Sequence, residues 1–383
     1  MFHRSCFLAV LLALALPLAA QDRAADLQTA FARAQHLKRG INVSHWFSQH
    51  PGDYSAQHTD TETTSDDIAT MARLGFDNVR LSIDAVPLEQ YPHGAAGLNS
   101  DFIARLDRAV DTILGDGMAV TIDVHPEDNY KQAMRTDNDA VDRFVALWRK
   151  LAAHYAGGDA KRDPERVFFE ILNEPEQYDA YRWAGIQTRV AAAIREAAPR
   201  NTIIATGPNY SDIADLLTMH PLEDGNVIYN FHFYDPHEFT HQGAGWGEPF
   251  WRDEHDIPYP PTESSMQELL KEVPDPASRY KLENYWLNHW DAHHIRLLMD
   301  EAAAWASANH VPLICNEFGA FREHSDPVSR TGWIRDVRTA LEADSIGWAM
   351  WDYHNGFGVA VRDKDGKSVV DPQTVKALGL KEQ

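Results

Sequence analysis

Cysteine is the scarcest chemistry in this chain. Only Cys6 and Cys315 occur among 383 residues, and Cys6 lies in an apolar N-terminal run. Once that run is removed as a leader, a single cysteine remains and no internal disulfide can form. Cys315 sits in an apolar stretch, and we expect a small packing residue there, not a nucleophile. Basic charge is also short: 35 Lys and Arg face 57 Asp and Glu, for a formal net charge of −22. So acidic a surface argues against nucleic acid and anionic membranes as partners, and suits action on a neutral polymer. Long hydrophobic runs are missing as well. The best candidate, Cys6 to Leu16, is too short to span a bilayer. Neither an internal repeat nor a low-complexity linker marks a second domain.

What is present begins with that N-terminal run. His3 and Arg4 precede it, and Pro17-Leu18-Ala19-Ala20 closes it with small residues. This pattern predicts a secretory signal peptide over residues 1–20, cleaved near Ala20-Gln21. The expected mature protein is one domain, 21–383, secreted or periplasmic, monomeric and free of the membrane after cleavage. Cleavage removes Arg4 and no acid, so the net charge of −22 becomes −23.

Short apolar strands then recur at roughly forty-residue spacing, with helical patterns between them. Eight are predicted: Lys38–Val43, Asp77–Ile83, Met118–Val124, Arg166–Leu172, Thr202–Thr206, Asn226–Phe231, Val311–Asn316 and Ile346–Trp351. Helices are predicted near 63–74, 99–114, 139–155, 179–198, 211–219, 291–309, 328–343 and 371–380. Capping residues and acids open several of them, as at Thr63-Thr64-Ser65-Asp66, Asn99-Ser100-Asp101 and Ser325-Asp326-Pro327. Eight βα units predict an α/β fold, a (β/α)8 TIM barrel. The excess length falls after strand six, at about Pro236–Trp290, and we expect a long loop there that forms a lid or binding wall.

In such a barrel, chemistry collects at the C-terminal ends of the strands. Two strand ends carry Asn-Glu: Asn173-Glu174-Pro175 and Asn316-Glu317-Phe318-Gly319. An acid at the end of an apolar strand is costly unless it is paired or used. Two acids on one face of a sheet meet the requirement for hydrolysing a glycosidic bond with retention of configuration. Glu317 must then be ionised to attack an anomeric carbon, and Arg80 and Tyr234 are candidates to hold it as the anion. Glu174 must carry a proton for the leaving sugar, and a neighbouring carboxylate would keep it there. Asn173 can hydrogen-bond a sugar 2-hydroxyl, His125 and His232 can fix the nucleophile side or hold hydroxyls, and Trp351 offers a flat face for a pyranose. Asn42, His45, Trp46 and Asp352 also fall at strand ends and are candidate subsite residues.

Arg80, His125, Asn173-Glu174-Pro175, His232, Tyr234, Glu317 and Trp351, in this order, resemble the active-site set of glycoside hydrolase family 5, the cellulase family of clan A. The resemblance covers about Arg39 to Phe357. It implies Glu174 as acid/base, Glu317 as nucleophile, no cofactor, and a polysaccharide or oligosaccharide substrate, with β-1,4-glucan first. It also implies a cis Trp351–Asp352 peptide. A narrower match, Phe239-Thr240-His241-Gln242-Gly243-Ala244-Gly245-Trp246, is similar to the loop after strand six in bacterial endoglucanases of the family, and implies that His241 and Trp246 line the cleft. Two departures touch the cleft: Pro126 stands where many relatives have a second His, and Glu248–Trp290 is longer than usual.

Other readings remain open on the residues alone: a β-mannanase or exo-β-1,3-glucanase of the same family, a catalytically silent carbohydrate-binding barrel, and a metal-dependent hydrolase on the same fold. His289-x-x-x-His293, with Asp291 and His294, has ligand spacing for a metal, but no Glu follows His289 as in zinc proteases, and a solvated helix is the expected reading. No metal site is expected.

Overall fold

The computed structural model describes residues 18–50, 54–89, 97–156 and 162–381. The expected signal peptide therefore lies mostly outside the described residues. Its last three positions belong to a helix, Leu18–Ala34, that runs across the expected cleavage point.

Eight parallel strands close into a barrel in sequence order, β8 pairing with β1. They are β1 (Arg39–Phe47), β2 (Asn78–Ile83), β3 (Ala119–Val124), β4 (Val167–Glu170), β5 (Thr202–Ala205), β6 (Val227–Phe233), β7 (Leu313–Phe318) and β8 (Gly347–Met350). The (β/α)8 barrel read from the sequence is what the chain forms. Nearly every strand position is buried, which is why these segments read as apolar runs and not as alternating ones. The crossover helices were also legible from their caps. Thr64 and Asp67 form a capping box on Ser65–Leu74, while Asn99, Asp137, Asp179, Asp291 and Asp326 each cap the helix that follows.

Several features differ from expectation; β6 and β7 each end two residues later than expected. β1 runs four residues past Val43, with a register shift between Val43 and Phe47. The segment after β6 is not a long loop. It holds two helices, Glu263–Glu272 and Pro276–Leu287, the first opened by a Thr262–Ser265 capping box and the second by Asp275 with Pro276 behind it. After β8 a small hairpin, β9 (Ala360–Arg362) with β10 (Ser368–Val370), precedes the final helix Pro372–Ala377.

Two layers position the site. At the N-terminal mouth, Ala30 and Leu37 pack on Ala119, Phe168, Ile204, Ile228 and Ile314, sealing the bottom of the barrel. Above that plug the interior turns polar, around Arg80, Asp123, Glu170, Asn42 and Asn316. Near the top, β7 carries an irregularity. Phe231 pairs with Cys315 but His232 pairs with Glu317, so Asn316 is an extra residue in the ladder and Glu317 takes the place opposite His232. Gly319 follows because β8 comes so close: a Cβ there would sit 2.4 Å from the Trp351 carbonyl oxygen.

Candidate active site

The site is built around one buried cation. Arg80 of β2 donates Nε and a terminal nitrogen to Glu170 Oε2 and Oε1, both at 2.7 Å. The same terminal nitrogen reaches Asn173 Oδ1 at 3.0 Å and Asp123 Oδ2 at 3.1 Å. The other reaches Asn42 Oδ1 at 3.0 Å and Glu317 Oε1. A planar fork is needed to serve so many acceptors at once. Its carboxylate partners hold the guanidinium well above its usual pKa, against the burial that would lower it.

One Arg cannot neutralise three acids, and the shifts show it. Burial raises Asp123 to about 6 despite Arg80. Burial also raises Glu317, with His232 and Arg80 opposing. Tyr234 donates its hydroxyl to Glu317 Oε2 at 3.0 Å, and its own pKa is pushed far up by burial and by Glu317. The Cys315 thiol is buried and donates to the Glu317 carbonyl at 3.3 Å, a packing role as expected.

Glu174 lies just beyond the end of β4 with φ of +36°, a conformation strained for a side chain larger than Gly. The loop that holds it is clamped. Glu176 donates its N–H to Asn209 O at 2.9 Å, and its side chain is buried against Lys131 at 2.7 Å and Arg135 at 3.1 Å. Glu174 Oε1 accepts from His232 Nδ1 at 3.0 Å, and that nitrogen lies 3.5 Å from Glu317 Oε2. Burial raises the Glu174 pKa, with Lys131, then His125, acting against it. The side chain of Glu174 is 26% exposed and that of Glu317 5%, so Glu174 is the one that opens to the cleft.

His125 connects these groups. Arg80 fixes the Asn173 amide with its oxygen inward, so Asn173 Nδ2 donates to His125 Nε2 at 3.0 Å and the ring proton sits on Nδ1, toward Asp123 at 3.0 Å. Burial, then Arg80 and Lys131, keeps His125 neutral. Trp351 stacks on it, with centroids 5.7 Å apart and planes at 20°. The Trp351–Asp352 peptide is cis, as the resemblance implied.

These residues floor a cleft of about 680 Å³. His45, Asn173, Glu174, His232, Tyr234 and Glu317 line it, as do His125, His241, Trp246, Trp351 and Asp352. Trp246 is half exposed, edge-on to Phe321. Ser44 donates to Asp352, whose carboxyl is raised to about 7 by burial. Two candidates fall elsewhere. Trp46 is a packing residue: its ring lies against Phe47 and its indole nitrogen donates to Thr59 O at 2.8 Å. Asn42 lies beneath the floor, donating to Asn316 O and Met350 O and accepting from Arg80.

Glu170, not among the residues expected at the site, is the bidentate partner of Arg80 and accepts from Asn316 Nδ2 at 2.7 Å. A lone Glu and a lone Arg inside apolar strands should have been read as partners. Trp251 and Phe357 also line the cleft. Among the described residues, Glu174, His232 and Glu317 offer three ligand atoms within 4.8 Å of one another, the kind of group that could hold a metal ion. The Arg80 guanidinium on Glu317 opposes a cation there.

Comparison with known proteins shows the family. The family model "Cellulase (glycosyl hydrolase family 5)" matches residues 39–356. The chain is 31% identical over 323 residues to Endoglucanase C of Acetivibrio thermocellus, covering 83% of this chain and 91% of that protein. It is 28% identical to Endoglucanase 3 of Fibrobacter succinogenes, covering 90% of this chain and 53% of that protein. Among solved structures, Thermotoga maritima Cel5A in complex with cellobiose (a mutant form) superposes with a TM-score of 0.71 at 25% identity, covering 91% of this chain and 98% of that one. With its fold and family both shown, the chain belongs to glycoside hydrolase family 5, the cellulase family, and is a glycosidase.

Proposed function

We propose that the protein is an endo-β-1,4-glucanase that works by double displacement, with Glu317 as nucleophile and Glu174 as acid/base. The observation that carries this reading is the spacing of the two acids. They offer oxygens within 4.8 Å of each other, on either side of one His232 nitrogen. Retaining enzymes hold their carboxyls about 5–5.5 Å apart, whereas inverting enzymes leave about 6.5–9.5 Å for a water.

The environments divide the labour. Two carboxyls this close share one proton, because a second negative charge is disfavoured. Arg80 and the Tyr234 hydroxyl hold the charge on Glu317, so the proton resides on Glu174. Glu317 attacks the anomeric carbon while Glu174 passes its proton to the glycosidic oxygen, and the C–O bond to the leaving sugar breaks. Glu174, now an anion, takes a proton from water. That water displaces Glu317, restoring both groups and the starting configuration. In this reading Asn173, oriented by Arg80 and His125, meets the 2-hydroxyl, and Trp351 stacks on the ring.

The β-1,4-glucan substrate is supported by relatives named as endoglucanases. Reducing-sugar release would be measured on mixed-linkage glucan, carboxymethylcellulose, glucomannan, xyloglucan and laminarin. We expect activity on the β-1,4-glucans, initial product of retained configuration by NMR, and loss of at least about 10³-fold in Glu317→Ala. Highest activity on mannan or laminarin would replace the substrate, and hydrolysis that survives Glu317→Ala would overturn the roles. The N-terminal run supports export as a signal peptide; N-terminal sequencing of protein recovered outside the cytoplasm should begin near Gln21.

A further inference from the structure

The insertion after β6 holds a second pocket of about 450 Å³ that borders the catalytic cleft. Asp235, His237, Glu248 and Trp251 line both. Its walls are the short turn Pro249–Asp253 and the helix Pro276–Leu287, joined where Lys281 Nζ sits 4.5 Å from the Phe250 ring centre. Trp251 lies parallel to His237, with centroids 5.7 Å apart, and forms the partition between the two spaces.

We propose that this pocket is a remote sugar-binding subsite, which takes neutral hexopyranosyl units of a glycan whose scissile bond lies in the cleft. The inference rests on the glycanase reading above. The lining combines aromatic surface from Phe250, Trp251 and Trp290 with the Asn284 and Asn288 amides and the Glu238 and Glu248 carboxylates. Aromatic rings take the C–H face of a pyranose, and amides and carboxylates take its hydroxyls. Three carboxylates, Asp235, Glu238 and Glu248, outnumber Lys281 in the lining and disfavour an anionic ligand, and an apolar one would desolvate them without replacing their hydrogen bonds. The volume lies within the range of small-ligand sites. Tyr285 braces the wall from behind, donating its hydroxyl to Pro258 O at 2.6 Å.

The test compares Phe250→Ala and Asn284→Ala with the unaltered protein on cellohexaose and on p-nitrophenyl β-cellobioside. Asn284→Ala replaces a half-buried helix residue with a good helix former, so it remains informative if Phe250→Ala does not fold. The expected result is a fall of about tenfold in kcat/KM on cellohexaose with the short substrate unchanged, a factor of ten being one lost contact of ordinary strength. Equal losses on both substrates, or no loss on either, overturn the subsite while leaving the glycanase reading intact. If the unaltered protein hydrolyses neither, that reading fails. The subsite is then judged by calorimetric titration of cellohexaose, where binding weakened by Asn284→Ala supports it and binding that is absent or unaffected overturns it.

Discussion

At the scale of the residue, the site is an economy of charge around Arg80. Its fork meets Glu170, Asp123 and Glu317 in the barrel interior. Arg80→Lys keeps the charge and loses the fork. It should leave carboxylates buried and underpaired, costing about 3 kcal/mol of stability and at least about 10²-fold in kcat. Denaturant unfolding and steady-state rates check both. Lys131 is the positioning residue for Glu174: it leads the charges that lower the Glu174 pKa against burial, and it anchors Glu176 two residues on. Removing a cation raises the pKa of a nearby acid. With Glu174 as the acid proposed above, the alkaline limb of the pH–kcat profile would report its proton loss, so Lys131→Met should move that limb to higher pH. Arg135 still holds Glu176 in the variant, and Lys131→Arg should restore the limb. An unmoved limb would mean that Lys131 acts only on the loop.

At the scale of the element, the insertion after β6 is the least legible part of the chain. Its second helix spreads Tyr280, Leu282, Tyr285, Trp286 and Leu287 around its circumference, so no single apolar stripe announces it. The insertion's caps, Thr262 and Asp275, are the local signals that could have announced the helices. Thr262→Ala removes a capping box and should cost about 1 kcal/mol, seen as a lower Tm. Glu254, buried in the insertion with neither carboxylate oxygen bonded, is raised to about 8 by burial and by Glu238. A raised folded pKa means that the native state holds the proton more tightly than the unfolded chain. Its stabilising effect is complete below the unfolded value of 4.5 and is lost as pH rises through about 8. Tm should therefore fall between pH 6.5 and 8.5. Glu254→Gln should remove part of that fall, raising Tm at pH 8.5 by about 5 °C and by less at pH 6.5.

At the scale of the molecule, the net charge of −22 sets how the protein meets polymers. Carboxymethylcellulose is anionic and mixed-linkage glucan is neutral. Long-range repulsion is screened beyond about 10 Å at 0.1 M salt. KM for carboxymethylcellulose should therefore drop as salt rises from about 10 mM to 0.15 M, while KM for the neutral glucan stays constant.

The order of the strands was legible in the sequence, but not all of their ends, since β1, β6 and β7 run on past the expected stops. An apolar run that turns polar is a local signal, and it pointed to Asn173-Glu174, just beyond β4, and to Asn316-Glu317, in the last residues of β7. Closure of a parallel barrel then brings all the C-terminal ends to one face, so the candidate acids were legible before any contact was known. Tertiary structure alone decided which side chains share the interior. It put Glu170 on Arg80, sent Trp46 into packing and Asn42 beneath the floor, and made Asn316 an extra residue in β7 so that Glu317 lies opposite His232. Those outcomes depend on pairing between distant strands and on which face each residue turns inward. Neither is encoded in the neighbours along the chain. The second helix of the insertion was decided the same way, since it is held by what it packs against and not by a stripe of its own.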